Sequence, residues 1–255
     1  MSWFTVCASE IGTSHIKSKT PCQDACFSRV YKSQNNQEIL SIWVSDGAGS
    51  AIYGGEGAQL AIDTAQQFIE EKIQEGEFGL SDAFAVDLVK KIHRTIDKEA
   101  QDKNFKPRDF ACTFIGVVSS DTCTLVMQVG DGAAVVDVGN DLELAIPPMS
   151  GEYANTTYCV TDDDSIQNLK VQSYPQKAMK VAVFSDGLQQ LALSYSENKP
   201  HQPFFSPFFN TLMSVNKEEF NQLEELLRSF LDSEPVNERT DDDKTLALAV
   251  WADNL

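Results

Sequence analysis

Three apolar runs of this chain each end on an Asp followed by Gly. They are Ile42-Trp43-Val44-Ser45-Asp46-Gly47, Leu125-Val126-Met127-Gln128-Val129-Gly130-Asp131-Gly132 and Val181-Ala182-Val183-Phe184-Ser185-Asp186-Gly187. A buried strand ending on Asp, with Gly next, delivers a carboxylate at a sheet edge with backbone close by. Asp-Gly is also the commonest turn pair, so any one of the three reads equally well as a β-turn. Three together point to carboxylates converging on one place. Such an oxygen-rich cluster suits hard divalent cations. Asp24, Asp109 and the run Asp241-Asp242-Asp243 are further candidates. The run abuts an apolar strand, although alone it reads as a solvated loop that protects a sheet edge.

Other chemistries lack their motifs. There is no GxxxxGK loop, and Gly47-Ala48-Gly49 has no third glycine for a dinucleotide fingerprint. No GxSxG elbow and no HExxH occur. His15, His93 and His201 are too scattered to argue for a Ser-His-Asp triad, and His93 reads as structural or solvated. The six cysteines contain no CxxC pair and sit largely inside apolar runs, so they read as small core residues rather than zinc ligands.

With 255 residues and 42% apolar content, the chain can bury a sizeable core. No linker divides it, so one domain over residues 1–255 is expected. A formal net charge of −18 disfavours nucleic acid and anionic membranes as partners. The N-terminus lacks a charged segment followed by a long apolar one, and no apolar run is long enough to span a bilayer. A cytoplasmic protein with free thiols is the expectation.

Residue patterns predict the elements that must position these carboxylates. Trp3–Ile11, Ala25–Tyr31 and Ile39–Ser45 read as strands, the last two joined as a hairpin, with a loop from Gly12 to Gln23. Gly54–Gln74 carries apolar residues at helical spacing, and a second helix runs from an N-cap at Ser81 to about Gln101. Phe110–Val118, Thr122–Val129 and Ala133–Val138 read as an antiparallel meander. Pro147–Ser173 is polar and reads as an irregular excursion or lid. Lys180–Ser185 is a strand, Leu193–Pro207 a loop and Phe208–Met213 a short helix. Asn216 and Glu219 form a capping box for a helix to Leu231. A charged loop then precedes the strand Leu246–Trp251. The order does not alternate β and α, so packed antiparallel sheets with helices outside are favoured over a doubly wound fold.

Taken together, the pattern resembles the metal-dependent Ser/Thr protein phosphatases of the PP2C (PPM) family, bacterial-type. Gln23-Asp24-Ala25 looks like the family's N-terminal element, and Asp46-Gly47-Ala48-Gly49 with Gly54-Gly55 looks like DGxGG. Asp109-Phe110-Ala111-Cys112-Thr113 resembles the D-x-G-T-T strand start, and Gly130-Asp131-Gly132 resembles GDSR. Ser185-Asp186-Gly187-Leu188 matches SDGL, and Asp242-Asp243-Lys244-Thr245 resembles DNxT. The six motifs occur in the family's order over roughly Gly12 to Trp251.

The resemblance implies an α+β fold, an αββα sandwich of two antiparallel sheets flanked by helices, with a metal site between the sheets at one edge. It implies two Mn²⁺ or Mg²⁺ ions, with a third in bacterial members. Asp46 would bridge the two ions, with the Gly47 carbonyl as a further ligand. Asp186 and Asp242 would hold the first ion, so Asp46, Asp186 and Asp242 form the catalytic set. Asp24 would support the second ion, and Asp109 with Asp186 the third. Asp131 would stand behind the ligands or near the third ion. Two such ions lower the pKa of a bridging water to give the attacking hydroxide. Lys19 stands at the position of the family's phosphate-gripping Arg, with Lys17 as an alternative. Ala48 stands where the eukaryotic branch has a proposed general acid, leaving proton donation to water or His15. The implied substrates are phosphoserine and phosphothreonine in proteins, opposed to a cognate Ser/Thr kinase, and a monomer is expected. The alternative reading is a non-catalytic PP2C-like binding or regulatory module.

Overall fold

The computed structural model describes residues 1–76, 78–149, 157–194, 199–215 and 220–253. Twelve strands lie in this described part: β1 (Ser2–Glu10), β2 (Asp24–Lys32), β3 (Glu38–Asp46), β4 (Phe114–Ser119), β5 (Thr124–Val129), β6 (Ala133–Asp137), β7 (Glu143–Ile146), β8 (Lys170–Tyr174), β9 (Lys180–Phe184), β10 (Leu193–Ser194), β11 (Lys199–Pro200) and β12 (Lys244–Ala252). The helices are α1 (Thr13–Ser18), α2 (Gly54–Glu75), α3 (Asp82–Asp102), α4 (Ser165–Asn168), α5 (Gln189–Ala192), α6 (Gln202–Ser214), α7 (Leu223–Leu231) and α8 (Glu234–Asn237). Ten strands form two antiparallel five-stranded sheets, ordered β1-β12-β9-β6-β7 and β2-β3-β4-β5-β8.

Side-chain alternation builds the layers. On β3, Leu40, Ile42 and Val44 point between the sheets, where they meet Val181, Val183, Ala247 and Ala249 of the other sheet. Ile39 and Trp43 point the other way, onto Ala61, Ala65, Leu88 and Ile92 of α2 and α3. The outer face of the β1-β12-β9-β6-β7 sheet, with Ala182, Phe184, Leu246 and Leu248, packs on Phe205, Phe209, Leu227 and Leu231 of α6 and α7. The result is the expected αββα sandwich. Both faces of β3 and β12 are covered, which is why these strands read as continuous apolar runs. Ser81 caps α3 as predicted, its hydroxyl accepting the Phe84 N–H at 3.4 Å.

Several sequence expectations are corrected. The three-strand meander is not formed: β4 and β5 pair, but β6 crosses to the other sheet and pairs with β9 and β7. The crossing uses Gly130 at φ 117, a backbone conformation that side chains disfavour. The Gln128 side chain braces it by donating to the Gly130 and Gly132 carbonyls, both at 3.1 Å. The predicted loop before Asp24 contains α1. The predicted strand start at Phe110 is a 3₁₀ turn, Pro107–Phe110, and β4 begins only at Phe114. The predicted excursion contains α4 and β8, which borders β5 as an edge strand. The predicted loop before Phe208 holds β10 and β11, and its last six residues, 202–207, belong to α6. Pro203 lies in the first turn, where its missing N–H is no loss, and burial of Phe205 and Phe209 offsets the bond Pro207 forfeits. The Asn216–Glu219 capping box lies outside the described residues. No helix among the described residues is long and apolar enough to cross a membrane.

Candidate metal and active site

Four carboxylates meet where strand ends of the two sheets come together. Asp24 begins β2 and Asp46 ends β3, and the two are direct cross-strand partners. Asp186 follows β9 and Asp242 precedes β12, strands that pair in the other sheet. Gly187 lets the last two loops touch, because a Cβ there would overlap the Asp243 carbonyl oxygen. Hydroxyls lock the two sheets together at this point. Asp24 Oδ2 accepts from Ser185 Oγ and Thr245 Oγ1, each at 2.7 Å. Thr245 N–H in turn donates to Ser185 Oγ at 3.1 Å. Across β3, Asp46 N–H donates to Thr113 Oγ1 at 3.0 Å, and Thr113 N–H returns a bond to the Asp46 carbonyl at 2.8 Å.

The group opens into a cleft of about 460 Å³, lined by Asp46, Asp131, Asp186 and Asp242 together with His15, Gly47 to Ser50, Ala111, Thr113, Thr157 and Cys159. Asp131 reaches it from the crossing between sheets, where Thr157 donates a hydrogen bond to its carboxylate. The crowding raises every pKa in the group. Burial first, and then the charge of Asp243, push Asp24 up to about 7. Burial, then Asp131 and Asp242, push Asp186 up to about 6. Asp46 is held well above the carboxylate range by burial and by Asp24, Asp186 and Asp242. Burial also raises Asp131 and Asp242.

A second observation bears on a cation. Asp24 Oδ1 and Asp186 Oδ1 are buried and receive no protein donor among the described residues. The Asp46 carboxyl lies within hydrogen-bonding reach of both side chains. It can donate to one of them, and only while carrying a proton. The oxygens therefore require either a shared proton or a cation, and a divalent ion fits a set of this composition. No three His, Cys, Asp or Glu groups among the described residues already stand as a metal shell.

The structure brings Asp24, Asp46, Gly47, Asp186 and Asp242 together. Two predicted site residues are not brought in. Asp109 sits in the Pro107–Phe110 turn, where its carboxylate accepts the Lys106 N–H at 2.9 Å, and it does not line the cleft. Lys19 is exposed at the end of α1 in a left-handed conformation with φ 60, and neither it nor Lys17 lines the cleft.

Asp243 has a part that sequence reasoning missed. It is 2% exposed and accepts the Gly12 and Gln23 N–H groups, both at 2.6 Å, with His15 Nδ1 at 2.9 Å. Within a run of three aspartates nothing marks which one turns inward. The hydroxyls of Ser185 and Thr245 were also missed. Their one visible signal is a small polar residue beside a strand-end Asp.

Residues 11–232 match the family model described as protein phosphatase 2C. Over 253 residues, 99% of this chain and 100% of the relative, the chain is 51% identical to serine/threonine-protein phosphatase 3 of Escherichia coli K12. Among solved structures it resembles the S. agalactiae serine/threonine phosphatase, with a TM-score of 0.64 at 15% identity, covering 97% of this chain and 99% of that one. It also resembles PppA of Pseudomonas aeruginosa, described as a key regulatory component of T6SS, with a TM-score of 0.63 at 15% identity and 98% coverage of both chains. At these identities the solved structures speak to the fold alone, and they agree with the αββα sandwich.

Proposed function

Because the chain belongs to the protein phosphatase 2C family and is a serine/threonine phosphatase, we propose that it hydrolyses phosphoserine and phosphothreonine with two Mn²⁺ or Mg²⁺ ions held by its strand-end aspartates. One observation carries this reading: Asp24, Asp46, Asp186 and Asp242 gather from both sheets, with two buried carboxylate oxygens that lack a donor. Asp46, Asp186 and Asp242, with the Gly47 carbonyl, would hold the ions, and Asp24 would support them directly or through water. When bound, such ions make water a nucleophile at neutral pH and neutralise phosphoryl oxygens.

The chain's own residues do the rest. Ser185 and Thr245 hold Asp24 in one orientation. Thr113 fixes the backbone on which Asp46 sits. Cys159, the one cysteine among the described residues lining the cleft, is not a thiolate primed to attack, since burial pushes its thiol upward. The substrates on this reading are the products of a serine/threonine kinase, and the protein works as a single cytoplasmic domain and a monomer. A non-catalytic module is not retained, given a full-length relative named as a phosphatase.

The test is hydrolysis of p-nitrophenyl phosphate and a phosphoserine peptide with Mn²⁺ or Mg²⁺. Activity should vanish in excess EDTA. Asp186→Asn should lose at least about 100-fold in kcat, the scale of one removed transition-state contact, with an unchanged circular dichroism spectrum. Equal turnover in EDTA, or an active Asp186→Asn, would reject the metal assignment.

A further inference from the structure

Among the described residues lining the cleft, His15 is the only one whose side chain can carry a positive charge. The histidine is not there by chance of a loose loop. Ser14 donates to the Asp241 carbonyl through both N–H and Oγ, at 2.9 and 2.6 Å, which pins α1 against the segment carrying Asp242. Asp243 then orients the ring. Both of its oxygens accept a backbone N–H, from Gly12 and Gln23, so Nδ1 supplies the proton of the 2.9 Å contact with Oδ2. That leaves Nε2 without a partner among the described residues, on a ring that borders the cleft. A carboxylate behind Nδ1 fixes the tautomer and stabilises the ring when it is charged.

We propose that His15, positioned by Asp243, is the catalytic residue that protonates the departing serine or threonine oxygen. The proposal rests on the phosphatase reading above and deepens it. Water adds to phosphorus through its oxygen, and the bond from phosphorus to the substrate Oγ breaks. The electron pair stays on Oγ, which takes the Nε2 proton of the charged His15 ring and leaves the Nδ1–H form, while the attacking water gives a proton up to solvent. The ring recovers a proton from solvent, and the products are the free hydroxyl and inorganic phosphate. Among the described residues no Lys lines the cleft, and Lys17 and Lys19 are exposed.

Leaving-group chemistry provides the test. Nitrophenoxide departs without a proton, whereas a serine alkoxide needs one. His15→Gln and His15→Ala should lower kcat on a phosphoserine peptide by about 100-fold or more, the usual share of general acid catalysis, and on p-nitrophenyl phosphate by less than about tenfold. Mn²⁺ affinity, measured by calorimetry, should stay within about twofold, so that a lost metal site is distinguishable from a lost proton donor. Equal losses on both substrates, or no loss on the peptide, overturn the proposal. A readout independent of turnover covers the case of an inactive preparation. In ¹⁵N spectra of the Mg²⁺-loaded protein, inorganic phosphate should shift His15 Nε2 while His93 and His201 stay in place. A stationary His15 signal also overturns it.

Discussion

At the scale of single residues, the aspartate cluster opposes the stability of the metal-free fold. The folded pKa values of Asp24 and Asp186, about 7 and about 6, lie above the ordinary 3.8. The folded state therefore holds more protons than the unfolded chain between about pH 4 and pH 7, and unfolding becomes easier as pH rises through that window. The contribution is intact below about pH 4 and lost above about pH 7. Asp186→Asn removes one of these charges, so its metal-free form should melt at a higher temperature than metal-free wild type at pH 8. The gap should close towards pH 4 in scanning fluorimetry. Adding Mg²⁺ at pH 8 should raise the melting temperature of wild type and leave the variant unchanged. An Asp186→Asn protein less stable than wild type at pH 8 without metal would contradict the charge argument. The strand-end position of Asp46 and Asp186 was legible from the sequence because apolar runs stop there. The inward turn of Asp243 was not, because three identical side chains differ only in which backbone N–H groups the fold brings to them.

At the scale of elements, two loops and one short helix hold the cleft together. Gly187 lets the loop after β9 rest on the loop before β12. Gly187→Ala should separate Asp186 from Asp242 and weaken Mn²⁺ binding by at least about tenfold, as for disturbed support of metal ligands, while α2 and α3 keep their circular dichroism. Unchanged affinity would show that the loops adapt. Asp243→Ala strands two buried N–H groups and should destabilise the protein by about 3 kcal/mol in urea unfolding, and a change under about 1 kcal/mol would mean that water replaces the carboxylate. Element readings succeeded where one face or both faces of a strand or helix are regularly apolar, as in β3, α2 and α3. They failed for α1, with no buried side chain, and for β8, a polar edge strand. In α6 the prolines signalled a break that apolar packing overrode.

At the scale of the whole molecule, the formal charge of −18 faces a substrate that is itself anionic. Long-range repulsion should make flanking charge matter. A phosphoserine peptide with Arg and Lys neighbours should show a kcat/KM roughly tenfold above one with Asp and Glu neighbours at low salt. The ratio should collapse towards one near 0.5 M NaCl, where the screening length is roughly 4 Å. A ratio insensitive to salt would place the preference in direct contacts instead.

The amino-acid sequence by itself determined the layers and which strands end in carboxylates, because hydrophobic period and Asp-Gly endings are local. It also carried the family pattern from residue 12 onward. Only the tertiary structure decided that β6 changes sheets, that Asp24 faces Asp46 across a strand pair, and that Asp109 and Lys19 stay outside the cleft. It likewise decided that His15 meets Asp243 across 228 positions. Register, sheet crossing and the packing of one loop on another are long-range choices. They are set by burial summed over the whole core, which no short stretch of residues contains.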